Sequence, residues 1–285
     1  MIEPFTCEAD FLSPEEIADL EKACGSVPWH RYKIRGNYVL RSSCLFTKVQ
    51  TSRSLLTHRG GDGIYSLDEA PEAVKAYRAK LSAHAGVDIN YMSFNRYLDG
   101  EEYMGPHQHR EDWGRDDQRV WIVSLQTPRP FVVEPKDGGC DRDRKMIIAE
   151  PGSLITLSTT ANTTHLHSVP KDKSVKTVRY SINCKTIPPQ VWCCRAGKSY
   201  PKNAVYVGRE TLDRKGKLLR EGTPFGNYCH LEPSRYREML LEMIAADAEF
   251  EAQAEALRGK DLLCWCSGKE KEHCHARVLL ELANR

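Results

Sequence analysis

Residues 95–113 read NRYLDGEEYMGPHQHREDW. Two histidines and an acid, His107, His109 and Glu111, fall within five residues of a segment that follows a strand-like run, INYMSFNRY at 89–97. Imidazole nitrogens and carboxylate oxygens together suit Fe(II), Zn(II) and similar ions. One short segment cannot enclose an ion, so a distant ligand is required. TTHLHSVP at 163–170 supplies it, with His165 and His167. Side chains two apart in extended chain share a face, so His107 pairs with His109 and His165 with His167. One face of each segment can then meet inside a barrel. The competing reading is of loop histidines with no ligand role. The placing of four of the ten histidines in two short pairs on either side of a strand-rich region weighs against it.

The strand-rich region lies between and around these pairs. RVWIVSLQ (119–126), FVVEP (131–135), GSLITLS (152–158) and VRYSINC (178–184) are short, β-branched or aromatic, and separated by Gly, Pro and Asp. Two helices precede them. LSPEEIADLEKACG (12–25) opens with Ser13 as N-cap, Pro14 at the first helical position and Glu16 completing a capping box, and it closes at Gly25. APEAVKAYRAKLSAHAG (70–86) repeats Val74, Tyr77 and Leu81 at helical spacing and ends at Gly86. Paired prolines in TIPPQ (186–190) break the pattern. After them come strand-like NAVYVG, a Gly-rich REGTPFGN loop, a long helix from Ser234 to about Leu257, a strand DLLCWC and a last helix to Leu282. The predicted fold is α+β: a sheet-based domain over 1–187, a linker over 188–199, and a small α/β domain over 200–285.

Composition narrows the function without naming it. The chain has 285 residues, 41 basic and 39 acidic, for a formal net charge of +2, too balanced to attract nucleic acid or membrane by bulk charge. No basic leader with an apolar stretch and no long apolar run occurs, so the expectation is a cytoplasmic protein without membrane contact. Eleven cysteines, odd in number and irregularly spaced, point to thiols or metal ligands rather than a disulfide framework.

Taken in order, NRYLDGEEYMGPHQHRED, VSLQTPRPFVV, EPGSLITLSTTANTTHLHSVP and RYSINCK resemble the AlkB-like branch of the Fe(II)/2-oxoglutarate dioxygenases. The resemblance implies a double-stranded β-helix, or jelly roll, with iron at its mouth, 2-oxoglutarate as co-substrate and O2 as oxidant. It places His107 and His167 as iron ligands, Asn95, Tyr97 and Arg179 on 2-oxoglutarate, and Lys185 where a second arginine is usual. His109 stands where the family has Asp. Either His107, His109 and His167 form a three-histidine site, or Glu111 supplies the carboxylate after a two-residue slip; loss of metal is the remaining alternative. Arg41 and Tyr65 lie in segments that the family uses as a substrate lid, YKIRGNYVLRSSCLFTKV to GGDGIYS. The activity implied is hydroxylation or demethylation of a nucleobase in DNA, RNA or a nucleotide, with phage DNA modification as one setting. The alternatives are an inert barrel that binds nucleic acid or a nucleotide, and an oxygenase acting on another small molecule.

The C-terminal segment, with GR, TPFGN, CWC and CH in order, resembles a small domain of obscure function from phage and bacterial genomes. Cys264, Cys266, Cys274 and His275 are candidates for a zinc site. Alternatively Cys274 caps the last helix as a reactive thiolate, or the cysteines form a buried cluster. Gly222, Gly226 and Asn227 can shape a nucleotide-accepting loop or a plain turn.

Overall fold

The computed structural model describes residues 5–34, 37–48, 63–109, 119–136, 144–194, 204–213, 215–265 and 274–284. The chain divides between Ile187 and Pro188 into two units, taken separately below.

In the first unit, helix α1 (Pro14–Ser26) starts with the capping box read from the sequence: Ser13 Oγ accepts from Glu16 N, and the Glu16 carboxylate accepts from Ser13 N. Helix α2 (Glu72–Ala85) ends at Gly86, whose φ of +67° is the left-handed conformation that glycine adopts without strain. Eleven strands among the described residues build its two sheets: β1 (Phe5–Glu8), β2 (Ser42–Thr47), β3 (Ile64–Ser66), β4 (Tyr91–Tyr97), β5 (Met104–His107), β6 (Val120–Gln126), β7 (Arg129–Pro135), β8 (Lys145–Ala149), β9 (Leu154–Leu157), β10 (His165–Val169) and β11 (Arg179–Lys185). They form a large sheet in the order β1-β9-β6-β11-β4-β2-β3 and a small one in the order β8-β7-β10-β5, joined almost entirely by antiparallel pairs. A short hairpin, Lys33–Ile34 with Asn37–Tyr38, lies outside both.

The large sheet is covered on both faces. Trp121, Val123 and Leu125 of β6, Met92 and Phe94 of β4, and Ile182 and Cys184 of β11 pack with Leu20, Cys24, Val74, Tyr77 and Leu81 of the two helices. The alternate residues Val120 and Ile122 pack on the other side with Phe131, Val133 and Val169 of the small sheet. This is the two-sheet jelly roll, with helices backing the larger sheet. Burial on both faces explains why β6 reads as an unbroken apolar run rather than an alternating one.

One segment differs from its sequence reading. Ser42–Thr47, assigned to a lid, is a wholly buried strand paired with β4. Its serines disguised it, because Ser42 and Ser43 spend their polarity inside the domain.

In the second unit, β12 (Val191–Cys193), β13 (Val205–Tyr206) and β14 (Leu262–Cys264) form a parallel sheet with β14 central. Val191–Cys193 therefore belongs to this sheet and not to a linker. The single helix expected over Ser234–Leu257 is two, α4 (Pro233–Ala246) and α5 (Ala248–Glu255). Asp247 breaks it: its backbone is extended, and its side chain accepts from Glu249 N and Phe250 N as the N-cap of α5. A carboxylate satisfies first-turn amides better than it serves a helix interior. Helix α6 (His275–Ala283) closes the unit, and Tyr236, Leu240, Phe250, Leu262 and Leu279 form its core. No helix among the described residues is long and apolar enough to cross a membrane.

Candidate functional site

Strands β5 and β10 pair antiparallel with His107 opposite His167, which sets the two imidazoles side by side with ring centroids 4.2 Å apart. His109 lies two residues beyond β5 on the same face. Its backbone is held from both sides by Asn162, whose Oδ1 accepts from His109 N at 3.1 Å and whose Nδ2 donates to His109 O at 3.3 Å. Asn162 is buried on helix α3 (Thr159–Thr164), itself capped by Ser158. One ligand nitrogen from each of His107, His109 and His167 lies within 4.8 Å of the others, a grouping fit for one metal ion. Glu111, the rival ligand, lies outside the described residues.

Burial disfavours charge on all three rings. The His107 imidazolium is destabilised first by desolvation and then by the nearby Arg41 and Lys185 charges, which brings its pKa down to about 4. His109 and His167 are pushed well below the ordinary histidine range, again first by burial and then by their charged neighbours. At neutral pH the cluster thus offers uncharged imidazoles, the form that ligates metal. Lys185 Nζ lies 2.8 Å from His109 Nδ1. An ammonium can only donate, so Nδ1 is the acceptor and the proton sits on Nε2, which is buried with no hydrogen-bond partner.

Strand periodicity gathers the co-substrate candidates. On β11 the even-numbered residues Ile182 and Cys184 enter the helix-backed core, which turns Arg179, Ser181 and Lys185 to the barrel interior. The register sets Arg179 opposite Tyr97 and Ser181 opposite Asn95 on β4. Tyr97, His107, His167, Arg179, Ser181 and Asn183 all line one cavity of about 20 Å3, room for roughly one water.

Arg179 is 1% exposed. Its Nη2 donates to Ser124 Oγ at 2.8 Å, while Nε and Nη1 are buried without a partner. Desolvation lowers its pKa to about 10, against the Coulombic and hydrogen-bond interactions with Tyr97, whose ring centroid lies 5.3 Å away.

Asn95 accepts from Arg41 Nε at 2.9 Å, so the buried Arg41 is tied to the barrel interior, and its other end donates to the Tyr32 hydroxyl. Tyr65 is placed differently: its ring packs on Phe46 and its hydroxyl shares a hydrogen bond with His30. Ser124 and Asn162 are site residues that the sequence reading missed. An Asn in the polar run TTANTT and a Ser in an apolar strand carry no signal of their own.

Over 39% of its length the chain is 30% identical to the DNA oxidative demethylase ALKBH2 of Bos taurus, covering 42% of that protein, and 30% identical to its Homo sapiens counterpart, covering 44%. Over that span the N-terminal domain is similar to these AlkB-type demethylases. The chain spans less than half the length of these curated relatives. Among solved structures, that of OsALKBH1 aligns with 65% of this chain and 99% of its own at 12% identity and a TM-score of 0.47. Beyond the AlkB-like domain, residues 191–285 match the family described as Domain of unknown function (DUF4326).

In that second domain Cys264 and Cys274 are buried with their sulfurs 3.1 Å apart. His275 Nε2 lies 3.1 Å from the Val207 carbonyl, which makes it a donor there and removes that nitrogen as a ligand. Cys266 lies outside the described residues. Among the described residues the three barrel histidines are the one grouping fit for a metal.

Proposed function

We propose that the AlkB-like domain is an Fe(II)- and 2-oxoglutarate-dependent oxygenase that hydroxylates or demethylates a nucleobase in DNA, RNA or a nucleotide. The observation that carries this reading is Arg179: a guanidinium sealed in the barrel with two nitrogens unpartnered, on the same cavity as the imidazole cluster. A buried charge without a counter-charge is costly, and a bound carboxylate is what a guanidinium fork fits.

In this reading His107, His109 and His167 hold the iron through neutral nitrogens. The iron, with 2-oxoglutarate and O2, supplies the oxidising power. Arg179 and Ser124 bind and orient the far carboxylate of the co-substrate, with Tyr97 alongside. Asn95, braced by Arg41, presents its amide beside them. Lys185 neutralises the near carboxylate, and a carboxylate there draws the ammonium from His109 Nδ1, which frees that ring to shift its proton and ligate through Nε2. A nucleobase as substrate is supported by the likeness to the ALKBH2 demethylases.

The competing reading is an inert platform that binds nucleic acid, and the observation in its favour is His109 in place of a carboxylate. Anaerobic titration of the protein with Fe(II) and 2-oxoglutarate separates the two. The oxygenase gives a saturable visible charge-transfer band that needs both additions, and succinate on admission of O2. Absence of both band and succinate rejects the oxygenase.

A further inference from the structure

His107 stands on the outer strand of the small sheet. In the order β8-β7-β10-β5 the neighbour of β5 is β10, and two register pairs join them, His107 with His167 and Met104 with Val169. Between those pairs β5 advances three residues while β10 advances two, so the ladder is interrupted beside the very pair that brings the two imidazoles together. By contrast β10 pairs with β7 over four successive residues, from His165 with Pro135 to Ser168 with Val132. The ladder seats His167. An interrupted ladder at a sheet edge leaves His107 in need of a further hold.

Arg129, the first residue of β7 and fully buried, is placed to supply it. Its Nη1 donates to the Asp99 carbonyl at 3.1 Å, and its Nη2 donates to the carbonyls of Glu102 at 3.3 Å and Pro170 at 2.6 Å. Asp99 and Glu102 lie in the segment that leads from β4 into β5, and Pro170 is the residue after β10. One guanidinium thus ties the entry of the His107 strand to the exit of the His167 strand, from the strand on which His167 is seated. A planar fork fixes the directions of its donors, so it also fixes the separation of the carbonyls it joins. The same two segments are laced main chain to main chain: Gly100 N donates to Val175 O at 3.0 Å and Asp172 N to Gly100 O at 2.9 Å. They approach so closely that a Cβ at Gly100 would lie 1.6 Å from Asp172 O. Glu102 adds a tie of its own, its carboxylate accepting from Leu98 N at 2.8 Å and pairing with Arg31. An apolar residue at position 129 would fill the space of the side chain and hold neither segment.

We propose that Arg129 is a positioning residue for the histidine cluster: through the Asp99, Glu102 and Pro170 carbonyls it sets where β5 lies along β10, and with it the separation of His107 from His167. The inference rests on the metal-binding reading of that cluster. Anaerobic calorimetric titration of the full chain with Fe(II) tests it, paired with the visible spectrum of bound Co(II), whose bands report coordination geometry. Arg129→Met, checked for folding by circular dichroism and titrated well below its melting temperature, should bind Fe(II) about 10- to 100-fold more weakly, the range for residues that orient metal ligands, with shifted Co(II) bands. Arg129→Lys keeps the charge and loses the fork, so its affinity should fall between those of the parent and Arg129→Met. Val74→Ala opens a cavity in the core between the helices and the large sheet, which lowers stability without touching these carbonyls, and it should leave both readouts as in the parent. Parental Fe(II) affinity and Co(II) bands in Arg129→Met, or in Arg129→Lys should the methionine variant not fold, overturn the inference. So does an equal loss in Val74→Ala, which would trace the effect to stability alone. A parent chain that binds no Fe(II) removes the metal-binding reading itself, and this inference with it.

Discussion

His107 and His167 face each other across neighbouring antiparallel strands with ring centroids 4.2 Å apart, while His109 reaches the same point from beyond the strand end. Strand pairing therefore builds two of the three positions and a loop builds the third. His107→Ala or His167→Ala should abolish Fe(II) binding in a titration followed by spectroscopy or calorimetry. His109→Asp should retain it, because an anionic oxygen at that position completes the common two-histidine, one-carboxylate set. Full iron affinity in His167→Ala would remove the cluster from consideration as a metal site.

Arg179→Met tests whether a charge is kept in the barrel at the expense of stability. The guanidinium leaves two buried nitrogens unpartnered, and a methionine of similar reach removes that penalty. The variant should melt at or above the temperature of the parent without ligands, and the rise in melting temperature produced by 2-oxoglutarate should vanish. Loss of affinity equivalent to roughly 2–5 kcal/mol is expected for a buried charge-assisted pair. An unchanged thermal shift by 2-oxoglutarate removes Arg179 from the co-substrate site.

Asn162→Ala should weaken metal binding by roughly 10- to 100-fold, the range for residues that position a ligand rather than supply one. It deletes both hydrogen bonds that fix the His109 backbone and leaves every imidazole in place. Comparing Fe(II) affinity with a melting curve separates lost positioning from lost folding.

The three imidazoles also set a pH dependence. Each titrates below its unfolded value of about 6.5 because burial disfavours the charged ring, so the unfolded chain takes up protons first as the pH falls. Their contribution to stability is present above about pH 6.5 and is lost as the pH falls through the folded value, about 4 for His107. Melting temperature in the absence of metal should decline across that window, and less steeply in His167→Leu. A profile identical in parent and variant would contradict the burial of this ring.

Asp247→Ala should cost the C-terminal domain about 1 kcal/mol, the usual value of an N-cap. Urea unfolding followed by helical circular dichroism reads it. No loss would mean that the break between α4 and α5 is set by packing alone.

Much of this was legible in the sequence, for identifiable reasons. The capping box at Ser13 and the Gly86 stop are local signals satisfied by a few neighbouring atoms, and they marked α1 and α2 to within a residue or two. The apolar run of β6 survives because both faces of the large sheet are covered. β2 was illegible because serines stand on a strand whose polar groups are answered from within the domain. The Asp247 break was hidden by apolar periodicity that continues on both sides of it. Tyr65 illustrates a different limit: position in a segment says little about direction, and its ring turned to Phe46.

The parity of β11 has an evolutionary consequence. Positions 179, 181, 183 and 185 face the barrel interior and 180, 182 and 184 face the helix-backed core, so either set can be rewritten while the other stays constant. The barrel face can thus change by point substitution at every second codon while the apolar contacts of Ile182 and Cys184 with the helices stay as they are. Loss of a single codon inside the strand does the reverse: it puts one end of the strand out of phase with the other, drives either Arg179 or Lys185 toward the helix layer, and disturbs both sets in one step.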